Sequence, residues 1–139
     1  LSERDLGAEK FDVARVTTYW MTEAEEALRV ADHLIDKADY FYALFFGHLA
    51  IEKMLKAIYA ARFEAHAPPI HNLLKLAKDA GIVLDEARTE ALITVTAFNI
   101  EARYPDMKRA FRQKCTPKYT QRQMTMIKEL FGWLRSHLP

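Results

Sequence analysis

Residues 41–63, FYALFFGHLAIEKMLKAIYAARF, decide the fold. Apolar side chains recur at Phe41, Leu44, Phe45, Ile51, Leu55, Ile58 and Tyr59, the three-and-four spacing of a helix. Tyr42, Phe46, Leu49, Met54 and Phe63 then cover much of the remaining circumference. A surface helix keeps one apolar stripe and a polar face, so a helix greasy on most sides is expected to be enclosed by others. A membrane span needs about 20 residues almost free of charge. Glu52, Lys53 and Lys56 fall in mid-segment, which makes this the centre of a soluble helical bundle.

The polar residues of the segment are ordered. His48, Glu52 and Lys56 follow at four-residue spacing and share one face. On the N-terminal side, Val16, Tyr19, Trp20, Ala24, Ala27, Leu28, Ala31, Leu34 and Ile35 predict a long amphipathic helix over about 11–37. Lys37-Ala38-Asp39 is a connection so short that the two helices must lie antiparallel, with Asp39 available as N-cap. On the C-terminal side, Pro68-Pro69 ends helical conformation. Asn72 can cap a short third helix through Ala80, closed by Gly81.

A fourth helix is expected from Asp85 to about Arg103. The β-branched run Ile93 to Thr96 also suits a strand, but nearly twenty residues are too many for one. Its apolar residues again surround much of the axis. Residues 105–119 read as a basic, irregular connection with at most one helical turn, and Thr120 as the N-cap of a last helix carrying Met124, Ile127, Leu130, Phe131 and Leu134. The expectation is an all-α, up-and-down bundle of about five helices in one domain spanning 1–139. Its core runs from about 11 to 138, after a frayed start at 1–10.

Composition narrows the function classes. The 139 residues contain one cysteine, Cys115, which excludes an internal disulfide framework and suggests a reducing, cytoplasmic setting. The charged opening LSERDLGAEKFD lacks the apolar stretch of a signal peptide. Net charge is +1, yet residues 1–36 hold nine acids and four bases, whereas residues 103–139 hold two acids and nine bases. An electropositive C-terminal third is expected unless antiparallel packing sets acids beside those bases.

At this point the chain resembles a known family. GHLAIEKMLKA at 47–57, the proline-rich turn into HNLLKLA at 71–77, and FNIEARYPD at 98–106 together resemble the HEPN domain, the nucleotide-binding domain of higher eukaryotes and prokaryotes. The likeness runs from about Val16 to Leu138. It implies a homodimer working beside a minimal nucleotidyltransferase, as a module that binds a nucleotide or RNA. Some members are instead metal-independent ribonucleases, including toxins of toxin-antitoxin pairs. That branch carries an Arg and a His with four to six residues between them. Arg103 has no histidine in range, and only three residues separate Arg62 from His66. The chain therefore resembles the branch without the nuclease pair.

Three groups of residues are candidates for chemistry. Thr96, Asn99 and Arg103 share a face of the fourth helix, and against His48, Glu52 and Lys56 they would form a polar pocket for a phosphate or base. The competing reading is a buried network that fixes helix register, with Glu52 held by Arg103 or a lysine. Lys108, Arg109, Arg112, Lys118 and Arg122 lie in a run free of acids from 108 to 128, suited to solvent, to phosphate contact or to docking on an acidic partner. Phe111 and Tyr119 interleave with them, to stack on nucleotides or to anchor the segment. Arg103 and Tyr104 are the residues a divergent nuclease would use. No cofactor is called for, and no metal, because Glu-x-x-His pairs and HExxH are missing. His66 and His71 flank the double proline, and His71 is expected to fix how the third helix docks.

Overall fold

The computed structural model describes residues 10–139, so the start at 1–9 lies outside the described residues. Six helices follow one another without a strand among the described residues: α1 Val13–Asp36, α2 Tyr40–Phe63, α3 Leu73–Asp79, α4 Glu86–Arg103, α5 Pro105–Lys114 and α6 Pro117–Arg135. None is long and apolar enough to cross a membrane.

The helix α2 is the buried centre. Leu44, Ala50, Ile51, Met54, Leu55 and Ile58 are inaccessible to solvent, and α1, α3, α4, α5 and α6 all pack against it. Its companion α1 lies along its length and buries alanines, Ala24, Ala27 and Ala31. Such small residues let two backbones approach closely. Beside them α6 brings Met124, Ile127, Leu130, Phe131 and Leu134 into the core. Here Gly47 gives α6 room: a β-carbon on it would lie 2.7 Å from Ile127 Cδ1.

Local signals set the helix ends. The carboxylate of Asp12 accepts from Arg15 N at 3.1 Å, the Asn72 side chain from Lys75 N at 3.0 Å and Asp85 from Arg88 N at 2.8 Å. Asp39 sits at the N-cap of α2 without a side-chain bond. Gly81, with φ +75°, takes the left-handed conformation that closes α3. Arg62 donates to the carbonyls of Ala80 and Gly81 at 3.1 and 2.9 Å, tying that end to the end of α2.

Three expectations are corrected. The basic stretch at 105–119 is not an irregular connection: residues 105–114 form a full helix, which brings the bundle of about five helices to six among the described residues. Pro105 occupies the first turn, where its missing N–H costs nothing, and Phe111 anchors the segment between Phe41 and Phe98, with ring centroids 5.4 and 5.5 Å away. The last helix starts earlier, with Thr116 capping it by accepting from Tyr119 N at 3.2 Å and Pro117 in its first turn. Thr120 is instead buried within the helix. Finally, α4 is not enclosed on all sides: Leu92, Val95 and Phe98 are buried, while Ile93 and Ile100 stay exposed.

Candidate functional site

The four-residue line on α2 meets the connection before α3. Glu52 is buried, and a buried carboxylate needs partners. Its Oε1 accepts from His71 Nδ1–H at 2.7 Å, and its Oε2 from Lys56 Nζ at 3.4 Å. Lys56 also lies over the Trp20 ring, 5.1 Å from its centroid. The expected anchor for Glu52 was Arg103 or a lysine; Lys56 fills that place together with His71.

His48, one turn earlier, is fully buried, and its Nε2–H donates to the His71 carbonyl at 3.4 Å. With the proton on Nε2, Nδ1 carries a lone pair that finds no partner among the described residues. Burial pulls the His48 pKa below 6.5, against the opposing pull of Glu52. The ring is therefore neutral at pH 7. His71 is held at both ends, ring and carbonyl, which agrees with its expected part in docking α3.

From the other side Thr96 accepts from Leu73 N at 3.1 Å and donates to the Leu92 carbonyl at 2.8 Å, linking α4 to the start of α3. Asn99 is buried and Arg103 exposed. The charge of Arg103 reaches His48, where it opposes protonation. The structure thus brings His48, Glu52, Lys56 and His71 into one bonded network and sets the α4 residues around its edge. No hydrogen bond joins the Thr96, Asn99 or Arg103 side chains to Glu52 among the described residues.

What the network can do chemically resides in His71. Its Nδ1 is engaged by a buried carboxylate, while the side chain is 47% exposed. An imidazole held by a carboxylate through Nδ1 keeps Nε2 for proton exchange with a ligand, the arrangement used in general acid–base chemistry.

The basic residues form a second surface. Lys108, Arg109 and Arg112, with Pro105 and Gln113, line an open depression of about 350 Å³ on α5. Lys108 and Arg112 also lie over the rings of Phe41 and Tyr42, with the Arg112 guanidinium 4.6 Å from the Phe41 centroid. Lys118 and Arg122 sit exposed, one turn apart, at the start of α6. None of these five cations pairs with a carboxylate among the described residues. The charge imbalance is otherwise partly cancelled by packing, since Asp32 meets Lys128 at 2.7 Å and Glu25 meets Arg135 at 2.6 Å. Phe111 is 1% exposed and anchors the segment rather than offering a face to a nucleotide. Cys115 is buried, and desolvation raises its pKa to about 11 despite nearby Lys114 and Arg112, leaving a protonated, unreactive thiol.

A family model described as the HEPN domain matches residues 17–137, all but the edges of the chain. The chain belongs to the HEPN-domain family. Among solved structures, the crystal structure of TT1696 from Thermus thermophilus resembles this HEPN domain with a TM-score of 0.74 and 22% identity. The likeness covers 88% of this chain and 98% of that one, and it speaks to the fold. A search of curated proteins finds no match.

In this HEPN domain, two features escape sequence reasoning. The pairing of His71 with Glu52 joins residues 19 apart through a tertiary contact, with only the turn before HNLL to hint at it. The helical nature of α5 is hidden because ten residues carry a single buried side chain. Its signal was the combination of Pro at the first helical position, Asp106 behind it and Phe111 two turns on.

Proposed function

We propose that this HEPN domain is a non-catalytic module that binds nucleotide or RNA phosphates on α5 and serves as the partner of a minimal nucleotidyltransferase. The observation that carries the reading is the depression lined by Lys108, Arg109 and Arg112, three cations with no carboxylate partner among the described residues. Guanidinium forks suit bidentate contact with phosphate oxygens, and an unneutralised cluster gains affinity by releasing counterions from a polyanion. Lys118 and Arg122 extend the same charge onto α6, and Tyr42, 39% exposed beside Lys108 and Arg112, offers a ring for stacking. Homodimerisation is part of the proposal. Ile93 and Ile100, seven residues apart on α4, share an exposed face, and an unpartnered apolar pair of this kind suits a two-fold contact.

The test is binding of a fluorescent single-stranded RNA by anisotropy, comparing the parent with a Lys108→Gln, Arg109→Gln, Arg112→Gln variant. Binding lost in the variant, with its melting temperature retained, supports the reading; equal binding by both refutes it. Sedimentation of an Ile93→Glu, Ile100→Glu variant tests the dimer, which the two charges are expected to dissociate.

A second reading, a divergent metal-independent ribonuclease of a toxin-antitoxin pair, is favoured by one observation: His71 is oriented by buried Glu52, and the charge of Arg103 is felt within the same network. In that reading His71 acts as base and Arg103 stabilises the phosphorane, with Tyr104 beside it. Cleavage of cellular RNA that disappears in both Arg103→Ala and His71→Ala would replace the first reading with this one.

A further inference from the structure

The first turns of α1 hold a feature that neither surface above uses. Two pairs at four-residue spacing, Arg15 with Tyr19 and Val16 with Trp20, lie side by side on this helix, and His66 from the connection after α2 stands across from them. Together they line a cavity of about 270 Å³. The sequence pattern places Val16, Tyr19 and Trp20 in a buried stripe, yet Tyr19 is 54% exposed. At this end of α1 the connection after α2 brings His66 across from the helix. Phe11, edge-on to His66 with centroids 4.8 Å apart, holds that connection in place.

We propose that this cavity binds a small planar aromatic anion, its ring set among Tyr19, Trp20 and His66 and its charge met by Arg15. The size suits one or two rings, since it falls just under the range of about 300–1,000 Å³ usual for ligand pockets. Tyr19 and Trp20 stand at 71° with centroids 5.1 Å apart, so their faces do not cover one another and one remains for a ring to contact. Aromatic walls alone also suit an organic cation, and the charges decide between the two. Lys56 Nζ already occupies one face of Trp20, and Arg15 stands at the rim. Three carboxylates of α2, α1 and its N-cap are engaged: Glu52 by Lys56 and His71, Glu23 by Lys53 at 4.0 Å, and Asp12 by the Arg15 backbone N–H. Asp12 lies 3.8 Å from Arg15 Nε, and no carboxylate among the described residues hydrogen-bonds the guanidinium. The cavity itself is lined by one cation, Arg15, and by no carboxylate, so a cationic ligand would meet a like charge here and an anion an opposite one.

Such a ligand has two natural sources, a nucleoside monophosphate or an aromatic carboxylate, and one titration separates them. In a Trp133→Phe background Trp20 is the single tryptophan, so its fluorescence reports on this cavity. The titrants are adenosine monophosphate and benzoate, with adenosine and inorganic phosphate as the ring and the charge alone. The expected result is a saturable change with at least one of the two aromatic anions, weakened about tenfold, or about 1.4 kcal/mol, by Tyr19→Ser and again by Arg15→Gln. The response should persist in the variant lacking the α5 cations, which separates it from phosphate contact on α5. Saturation by the nucleotide alone or by benzoate alone names the source. No saturable change with either anion, a response equalled by adenosine or by inorganic phosphate, or a response unaltered by Tyr19→Ser overturns the proposal.

Discussion

Gly47 sets how closely α6 approaches α2, one residue before His48, and the contact can be dissected atom by atom. A β-carbon at Gly47 would lie 2.7 Å from Ile127 Cδ1 and 3.6 Å from Ile127 Cγ2 and Met124 Cε. Ile127 is fully buried, so its δ-methyl moves only at the expense of neighbours packed at crystal-like density. Gly47→Ala gains about 1 kcal/mol of helix propensity and loses about 1–3 kcal/mol to overpacking, a net destabilisation of about 0–2 kcal/mol. Ile127→Val deletes the clashing Cδ1 and alone costs about 0.5–1.5 kcal/mol. In the double variant the alanine methyl occupies the space that Cδ1 vacates, so stability should return to about the parent's. Urea unfolding followed by circular dichroism gives all four corners of the cycle. The expected coupling is about 1–3 kcal/mol in favour of the double variant. Additivity within about 0.5 kcal/mol would refute the close approach.

Three further predictions rest on single observations. Ala38 has φ +60° in the connection between α1 and α2, so Ala38→Gly should raise stability by about 1 kcal/mol, read as a higher urea midpoint. His48 stays neutral where the unfolded chain binds a proton, so stability should fall as pH drops below 6.5, by up to about 1.4 kcal/mol per unit; His48→Gln should flatten that part of the pH profile, and an unchanged slope contradicts the assignment. His71→Ala leaves buried Glu52 with Lys56 alone and should cost about 1–3 kcal/mol in urea unfolding, a loss that Glu52→Gln in the same chain should partly restore.

Much of this fold is legible in the sequence because its centre is unusual. A helix apolar around most of its circumference has to be surrounded, and α2 is. The cap at Asn72, the helix start at Asp85 and the closing Gly81 were readable because each acts on its immediate neighbours. α5 was not, since a helix whose one buried residue is Phe111 has almost no periodic signal, and a proline that ends one helix looks the same as one that starts the next. The outer face of α4 misled for a related reason: Ile93 and Ile100 are apolar whether they meet the core or a second molecule.

The site divides in the same way. The α2 line of His48, Glu52 and Lys56 follows from helical spacing, but its bonding does not, because His71 arrives from a connection whose path depends on the whole bundle. The basic run at 108–122 could be counted from the sequence. Which cations remain unneutralised depended on α1 packing beside α6, where Asp32 and Glu25 claim Lys128 and Arg135 and leave those of α5 without carboxylates among the described residues.

The central claim, that α5 contacts nucleic-acid phosphates, is tested most directly by the salt dependence of single-stranded RNA binding. Each phosphate contact contributes about −0.7 to the slope of log affinity against log salt. Removing Lys108, Arg109 and Arg112 as charges should make the slope shallower by about 2 while the fold is retained. A slope that stays the same in the triple variant, or RNA binding with no salt dependence, would contradict the account.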